Sequence, residues 1–424
     1  MASKVITVFE HQRLVVGERY GKEKRIEFKP DHFNALVKYN QHHENRFFTP
    51  EYQRIKFNQH VGVIAVGDLT IEVLPKADGI EDVAKWQKAL IQLLKVAHGL
   101  PLHEAGLAQL ALRRTSVLEY FLRLFVEEVQ RLVHRGLVKR YRHQAGVTTA
   151  LKGRLDLPRH IRNSVVHKER FHVVHQVYNT DHVLHAILKQ ALKLVEDVTR
   201  DPITMGLAKD VQWAFEPVRV QRITREIFNR IRLDRKTKSY SDALVLAKLI
   251  LLNYAPDVKG GRDHILSLLF DMNKLFELVV LRLLKRAAAE RTDIAVLGQN
   301  SQEFWNGQRI RPDILIKQEG VLKCIIDTKW KLPKDNWPAD ADLKQMYVYN
   351  RQFGSAESTL LYPGSKQGTP RIAYDEDHQG RKDHGCSVRF IELFDAEGGL
   401  QLNQVDSLLQ ILVPGRSSTI DPVG

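Results

Sequence analysis

Two short apolar runs decide the fold of this chain: RIRPDILI at residues 309–316 and LKCIIDTK at residues 322–329. Both are rich in β-branched residues and are bounded by turn-forming residues, Asn306-Gly307 on one side and Pro333 on the other. They therefore predict two adjoining strands joined by a turn at residues 318–320. Their mostly apolar composition is typical of strands that are covered on both faces of a sheet, which favours an α/β domain.

Three charged residues, Asp313, Asp327 and Lys329, lie in or directly beside these apolar runs. Burying charges is costly unless they are paired or bind a metal ion. Asp313 and Asp327 are candidate ligands of Mg²⁺, a hard cation that prefers carboxylate oxygens. Lys329 is a candidate to orient an attacking water or to stabilise the charge that develops on a phosphoryl group. The trio therefore predicts a site for phosphodiester hydrolysis.

The strand register decides which of these side chains share a face. Lys329 follows Asp327 by two residues, so both point to one face of a strand and Thr328 points to the other. Asp313 joins that face only if it lies opposite or diagonal to Asp327. This requires either a three-residue turn centred on Gly320 or a β-bulge. The alternative interpretation is an ordinary hairpin with a surface ion pair.

Two further candidates lie on predicted helices. Glu277 stands in the most apolar part of a helix-like run over residues 270–284, where it is either a third acid and metal ligand or the partner of a nearby surface cation. Gln345, three residues after Asp342 in the next predicted helix, either lines the same cleft or is solvated. Spacing alone leaves both pairs of alternatives open.

The order of several short motifs carries a family resemblance. The motifs are DMNKLFE at 271–277, RPDI at 311–314, DTKWK at 327–331 and DLKQMYVY at 342–349, preceded by IEVLPK at 71–76, LKGRLD at 151–156 and Arg235 with YSDALVLA at 240–247. In this order they resemble the McrC family, the nuclease subunit of McrBC modification-dependent restriction systems, in the PD-(D/E)xK nuclease superfamily. Thr328 departs from the pattern, because Ala is more usual between the acid and the lysine.

The resemblance implies a fold, a reaction and a partner. It implies an α/β protein with a finger-like module over residues 1–176 that is β-rich and helical, a helical connector over 177–262 and a PD-(D/E)xK endonuclease core over 263–424. It also implies Mg²⁺-dependent cleavage of methylcytosine-containing double-stranded DNA. The N-terminal half would thread the hexameric ring of a McrB-like AAA+ GTPase, which binds the GTP, and would stimulate GTP hydrolysis.

The charge of the chain favours a polyanionic partner. The 424 residues carry 64 Lys and Arg against 50 Asp and Glu, a net charge of +14. The most basic segment contains Lys139, Arg140, Arg142, His143, Lys152, Arg154, Arg159, His160, Arg162, His167, Lys168, Arg170, His172 and His175. It is either an interface with nucleic acid or with an acidic partner pore, or a solvated basic face.

Several classes of protein are excluded or disfavoured. The chain has no apolar run of 18 residues, so we expect no membrane span. Two cysteines rule out a disulfide scaffold, a Cys₄ zinc site and a Cys-ligated iron–sulfur cluster, and they fit a reducing cytoplasm. No phosphate-binding GxxxxGK[ST] loop occurs, so we do not expect this chain to hydrolyse nucleotides itself.

Two competing functions remain for the sequence. A non-catalytic adaptor could couple a motor to DNA, but an adaptor has no reason to bury Asp313, Asp327 and Lys329. A stand-alone repair or recombination nuclease would use the same residues without a GTPase partner.

Overall fold

The computed structural model describes residues 4–21, 25–76, 81–100, 116–163, 169–252, 254–255, 265–333, 337–375 and 383–413. The chain folds as two compact units. Unit 1 is formed by residues 118–256, and unit 2 by residues 4–117 together with 257–424. These two units do not coincide with the three parts expected from the sequence, whose boundaries are at residues 176 and 262. The functions assigned to those three parts stay a prediction.

Strands and helices are interspersed throughout the described residues, which confirms the predicted α/β class. The strands are β1 (Lys4–Phe9), β2 (Arg13–Val15), β3 (Arg19–Tyr20), β4 (Ile26–Glu27), β5 (Phe48–Glu51), β6 (Arg54–Phe57), β7 (His60–Val66), β8 (Leu69–Leu74), β9 (Arg140–Thr148), β10 (Arg154–Leu155), β11 (Phe171–Asn179), β12 (Tyr254–Ala255), β13 (Ile265–Asp271), β14 (Ile294–Gly298), β15 (Gln302–Trp305), β16 (Gln308–Ile310), β17 (Ile314–Gln318), β18 (Val321–Thr328), β19 (Glu357–Pro363), β20 (Thr369–Ala373) and β21 (Gly385–Ile391). The helices are α1 (Pro30–His42), α2 (Val83–His98), α3 (Val117–His134), α4 (Leu157–Asn163), α5 (Val183–Val198), α6 (Pro202–Gln212), α7 (Arg225–Arg230), α8 (Ser241–Leu252), α9 (Met272–Ala287), α10 (Asp340–Phe353) and α11 (Leu402–Leu412).

β17 and β18, which contain most of the two decisive runs, lie in a six-stranded sheet of unit 2 with strand order β14-β17-β18-β19-β21-β20. The start of the first run, Arg309 and Ile310, belongs to β16 outside this sheet, so the strand expected there is divided in two. β17 and β18 pair antiparallel, whereas β18, β19 and β21 run parallel. A parallel pair needs a crossover connection, and α10 supplies it between β18 and β19. α10 packs its Met346 and Tyr349 against Leu315, Ile325 and Leu360 of the sheet in one buried cluster. These contacts hold Gln345 beside the end of β18.

A β-bulge sets the register between β17 and β18. Their turn has two residues, Glu319 and Gly320, both with positive φ (51° and 82°), so the three-residue turn was the wrong alternative. From this turn Gln318 pairs with Val321, but the register shifts by one residue before Ile316 pairs with Cys324 and Ile314 with Ile326. Continuing that register by one residue places Asp313 opposite Asp327. The bulge therefore restores the parity that the proposed site needs.

The other strands of unit 2 include those expected near the N-terminus. β1 and β8 pair in parallel, β8 pairs antiparallel with β7, and β7 pairs antiparallel with β13. β13 leads directly into α9, whose N-terminus is capped by Asp271 through the backbone N–H groups of Asn273 and Lys274. The N-terminal strands thus share a sheet with the strand that positions α9.

Unit 1 contains a three-stranded antiparallel sheet in which β11 lies between β10 and β9. β9 and β11 pair along nine residues each, from Arg140 opposite Asn179 to Thr148 opposite Phe171. Helices α3, α5 and α8 all contribute buried apolar residues to this unit, among them Phe125, Ile187, Leu188, Leu246 and Ala247. Among the described residues, no helix combines the length and the apolar character that crossing a membrane requires.

Candidate active site

Asp327, Lys329 and Gln345 form a closed network at the end of β18. Asp327 is almost fully buried, with 2% of its surface exposed. Lys329 Nζ lies 2.6 Å from Asp327 Oδ2 and donates to Gln345 Oε1 at 2.9 Å. Gln345 Nε2 in turn lies 3.3 Å from Asp327 Oδ1, to which it donates. The structure therefore brings these three predicted residues together.

Asp313 is held against the same strand by Thr328. Asp313 Oδ2 accepts hydrogen bonds from the backbone N–H and from the hydroxyl of Thr328, both at 2.7 Å. The expectation that Thr328 faces away from the site was therefore wrong for its hydroxyl group. The Thr328 hydroxyl points along the sheet to the neighbouring strand, where Asp313 directly precedes β17.

Glu277 reaches the site through Gln299. Glu277 is buried in α9, with 8% of its surface exposed, so it is not a helix-surface residue. Its Oε1 accepts from Gln299 Nε2 at 2.9 Å, and the backbone N–H of Gln299 donates to the carbonyl of Asp313 at 3.0 Å. Sequence reasoning did not identify Gln299, which has a positive φ of 54° in the loop after β14.

Burial and the charge of Asp313 raise the pKa of two acids of the site. Burial, followed by the charge of Asp313, raises the pKa of Asp327 to about 6. Burial and then Asp313 also raise the pKa of Glu277. For Lys329, burial acts to lower the pKa, but the charges of Asp327, Asp342 and Asp313 outweigh it and the net pKa is raised. The site thus concentrates negative charge that a cation would stabilise.

The donor set at Asp313 and Asp327 fits a hard divalent cation. Asp327 Oδ2 is buried without an aligned hydrogen bond, and its close cationic neighbour is the Lys329 ammonium group. Mg²⁺ is commonly held by one or two carboxylates together with water and phosphate oxygens. Within the described ranges, no group of three or more His, Cys, Asp or Glu side chains is close enough to hold a metal ion. The place of Glu277 as a third ligand therefore stays a prediction.

Asp342 and Tyr349 surround the network from α10. Asp342 Oδ1 lies 3.5 Å from Lys329 Nζ, and its Oδ2 lies 2.5 Å from Lys331 Nζ. The Tyr349 hydroxyl accepts from Gln345 Nε2 at 2.8 Å and donates to the carbonyl of Arg311 at 3.2 Å. All of these residues lie within the sequence motifs quoted above. The motifs alone did not predict that Asp342 and Tyr349 contact the network.

Trp330, the residue after Lys329, is fixed by the N-terminal part of unit 2. Its Nε1 donates to Glu10 Oε1 at 2.8 Å, and its ring centroid lies 5.3 Å from that of Phe276 on α9. Glu10 also accepts from the backbone N–H of Lys76 at 2.8 Å. Burial raises the pKa of Glu10 to about 7. No sequence signal connected Glu10 with the site, because 320 residues separate it from Trp330.

The basic segment of unit 1 forms the β9–β11 hairpin and the elements between its strands. Part of its charge is internally paired, with Arg140 2.7 Å from Asp234 and Arg142 3.0 Å from Asp181. Lys152, Arg154 and Arg162 are exposed, as are several apolar residues: Tyr141, Val147, Leu151, Leu157, Ile161 and Tyr178. His167 and Lys168 lie outside the described residues. The surface is therefore both basic and apolar.

A protein-family model and solved structures each match most of this chain. The family model of the McrBC 5-methylcytosine restriction system component matches residues 55–363. A chain of the refined half-complex from a tetradecameric assembly of Thermococcus gammatolerans McrB AAA+ hexamers with bound McrC has a similar fold, with a TM-score of 0.71 and 20% sequence identity. The match covers 97% of this chain and all of that one.

A second similar structure is the cryo-EM structure of the Thermococcus gammatolerans McrBC complex. One of its chains matches with a TM-score of 0.53 and 23% identity, over 67% of this chain and 88% of that one. No curated protein matched this sequence. At these identities the structural matches establish a shared fold.

Proposed function

The chain belongs to the McrBC family of 5-methylcytosine restriction system components, and from this premise we propose that it is the DNA-cleaving subunit of such a system. Its reaction is Mg²⁺-dependent hydrolysis of phosphodiester bonds in double-stranded DNA that contains methylcytosine. The observation that carries this proposal is the Asp327–Lys329–Gln345 network with Asp313 opposite. A purely structural adaptor has no use for a buried carboxylate, Asp327, whose pKa is raised by burial and by the charge of Asp313 beside it.

Each residue of the site has a chemical role in this proposal. Asp313 and Asp327 would hold Mg²⁺, with Glu277 as a third acid of the site. When bound, Mg²⁺ polarises the phosphoryl oxygen and acidifies a bound water. Lys329 presents its ammonium group to the developing phosphoryl charge or orients the attacking water. Gln345 fixes Lys329 by accepting its hydrogen bond, and Thr328 fixes Asp313.

Unit 1 is the proposed contact with the partner. We propose that the β9–β11 hairpin contacts a McrB-like AAA+ GTPase hexamer, which binds the GTP. The hairpin stimulates GTP hydrolysis by this hexamer. Two observations support this assignment. The hairpin exposes cations and aromatic rings together, with the tilted rings of Tyr141 and Tyr178 4.6 Å apart between centroids. The structure with the TM-score of 0.71 is of McrB AAA+ hexamers with bound McrC.

The test is cleavage of methylated plasmid DNA in Mg²⁺ by the chain alone and with its AAA+ partner plus GTP. Lys329→Ala is the active-site variant, and Lys344→Ala is its matched control, because Lys344 is exposed on α10 and pairs with Asp340. We expect cleavage only with partner and GTP, lost in Lys329→Ala and retained in Lys344→Ala. Partner GTPase activity should be unchanged in both variants.

Other results would select a competing function. Cleavage by the chain alone would indicate a stand-alone nuclease. Absence of cleavage, with the partner's GTPase rate raised equally by wild type and Lys329→Ala, would indicate a non-catalytic adaptor. Cleavage that survives Lys329→Ala would reject the site assignment itself.

A further inference from the structure

A long hairpin arm carries Asp313 and Gln299 at its base and an aromatic tip at its end. At the base, β14 and β17 pair from Ile294–Gln318 to Gly298–Ile314, and β14 is the edge strand of the six-stranded sheet. The bond from Gln299 N–H to the Asp313 carbonyl continues this pairing by one step. Beyond it, β15 and β16 pair only with each other among the described strands. The tip therefore extends past the sheet from the active site.

The tip is ordered by its own hydrogen bonds and yet exposes large aromatic residues. Arg309 donates to the hydroxyl and the carbonyl of Ser301 at 2.7 and 2.8 Å. The Gly307 N–H donates to Glu303 Oε1 at 3.1 Å, closing a turn in which Asn306 and Gly307 have φ of 41° and 79°. Trp305 is nevertheless 70% exposed and Phe304 47% exposed. Two large apolar side chains exposed next to each other on this hydrogen-bonded hairpin mark a contact surface.

The position of the tip favours DNA as its occupant. Asp313 follows Gly307 by six positions, which is about 20 Å of extended chain. This is about six base-pair steps along a duplex whose scissile phosphate lies at Asp313. Two exposed arginines, Arg309 and Arg311, lie on the chain between the turn at Gly307 and Asp313. The charge of Arg311 acts on Glu277 of the site. These cations complement a polyanion better than a second copy of this chain, whose own net charge is +14.

We propose that the β15–β16 tip docks in a groove of the DNA duplex about six base-pair steps from the scissile phosphate, with Trp305 and Phe304 against base or sugar surfaces and Arg311 against a backbone phosphate. This inference rests on the proposed nuclease function. Apolar side chains that enter a groove wedge against base steps, while arginines contact the phosphates. The tip thereby sets where the duplex lies relative to Asp313.

The experiment measures duplex binding by the full chain without cleavage. The chain carries Asp327→Asn throughout, and the probe is a fluorescein-labelled duplex containing 5-methylcytosine, followed by fluorescence anisotropy. Phe304→Ser with Trp305→Ser should weaken binding by about fivefold or more. Arg311→Gln should weaken it and reduce the dependence on salt by about one phosphate contact. The matched control is Tyr52→Ser, an 89% exposed aromatic in the turn of another hairpin of unit 2.

Each other outcome overturns the proposal. Unchanged affinity in the tip variant, an equal loss in Tyr52→Ser, or no duplex binding by the parent chain would reject the tip as a DNA contact. A change of oligomeric state by light scattering, with duplex affinity intact, would assign the tip to a second copy. Failure of the nuclease function is recognised separately, since it appears in the plasmid assay as absence of cleavage, or as cleavage that survives Lys329→Ala, and not as altered duplex binding.

Discussion

Thr328 donates two hydrogen bonds of 2.7 Å to a single oxygen, Asp313 Oδ2, one from its backbone N–H and one from its hydroxyl group. Hydrogen bonds to an ionised carboxylate are among the stronger ones in proteins. Together they fix the orientation of the Asp313 carboxylate and leave Oδ1 for another ligand. Thr328 is therefore a positioning residue for the proposed metal site, although it follows Asp327 directly on the strand.

Replacing Thr328 with Val removes the hydroxyl bond and keeps the shape and the backbone bond. Loss of such an outer partner of a metal ligand commonly lowers affinity or activity by about 10- to 100-fold, and we expect an effect in the lower half of that range. Thr328→Ser keeps a hydroxyl group and should restore most of the loss. The measurements are the cleavage rate with partner and GTP, and Mg²⁺ binding to the chain by calorimetry.

The two measurements separate positioning from simple loss of stability. A weaker Mg²⁺ affinity in Thr328→Val, with an unchanged unfolding midpoint, would support the positioning role. If Thr328→Val binds Mg²⁺ as tightly as wild type, the hydroxyl bond does not position Asp313 for a metal.

Local sequence patterns predicted the strand-borne part of this site and missed the parts that depend on long-range packing. The period of two along a strand placed Asp327 and Lys329 on one face, and their network is as expected. Which face of the strand Asp313 occupies depends on a β-bulge. Residue propensities do not specify the location of a bulge, because it depends on the twist of the sheet and on the neighbouring strands. Gln299 and Glu10 reach the site across loops and sheets, so their spacing in sequence carries no signal.

Gln345 links Lys329, Asp327 and Tyr349 through three hydrogen bonds of 2.9, 3.3 and 2.8 Å. We expect Gln345→Ala to reduce cleavage by about tenfold or more, because Lys329 loses the acceptor that orients its ammonium group. Lys344→Ala, one residue earlier on α10 but exposed, should leave the rate unchanged. The readout is the single-turnover cleavage rate at saturating Mg²⁺. Equal rates for Gln345→Ala and wild type would show that Gln345 is not part of the catalytic network.

The raised pKa of Asp327 makes metal binding depend on pH near neutrality. Mg²⁺ needs the ionised carboxylate, and burial together with the charge of Asp313 raises the Asp327 pKa to about 6. Mg²⁺ affinity should therefore be constant well above pH 6 and fall by about tenfold for each unit below it. Calorimetric titration of the chain across this window tests the expectation, with Asp340→Asn, an exposed acid on α10, as a control that keeps the same profile. An Mg²⁺ affinity that stays flat down to pH 5 would contradict the assignment of Asp327 as a ligand.

Glu10 gives the fold a pH dependence that Glu10→Gln should remove. Its folded pKa of about 7 lies above the ordinary value of 4.5, because burial disfavours the charged form. The folded protein therefore holds a proton that the unfolded chain releases, and stability is lost as pH rises from 4.5 to about 7. Gln keeps an acceptor for Trp330 Nε1 and the Lys76 N–H without a charge, so the variant should be the more stable protein above pH 7, by up to about 3 kcal/mol.

Urea unfolding of wild type, Glu10→Gln and Glu392→Gln at about pH 5 and about pH 8.5 measures this difference. Glu392 is exposed, so its variant should follow wild type at both pH values. The difference between Glu10→Gln and wild type should be small near pH 5 and grow toward pH 8.5, since only then is the buried carboxyl of wild type ionised. If Glu10→Gln is instead destabilised equally at both pH values, the carboxyl group stays ionised in the fold. The hydrogen bond from Trp330 Nε1 would then be accepted by an ionised Glu10 carboxylate, and not by a protonated carboxyl group.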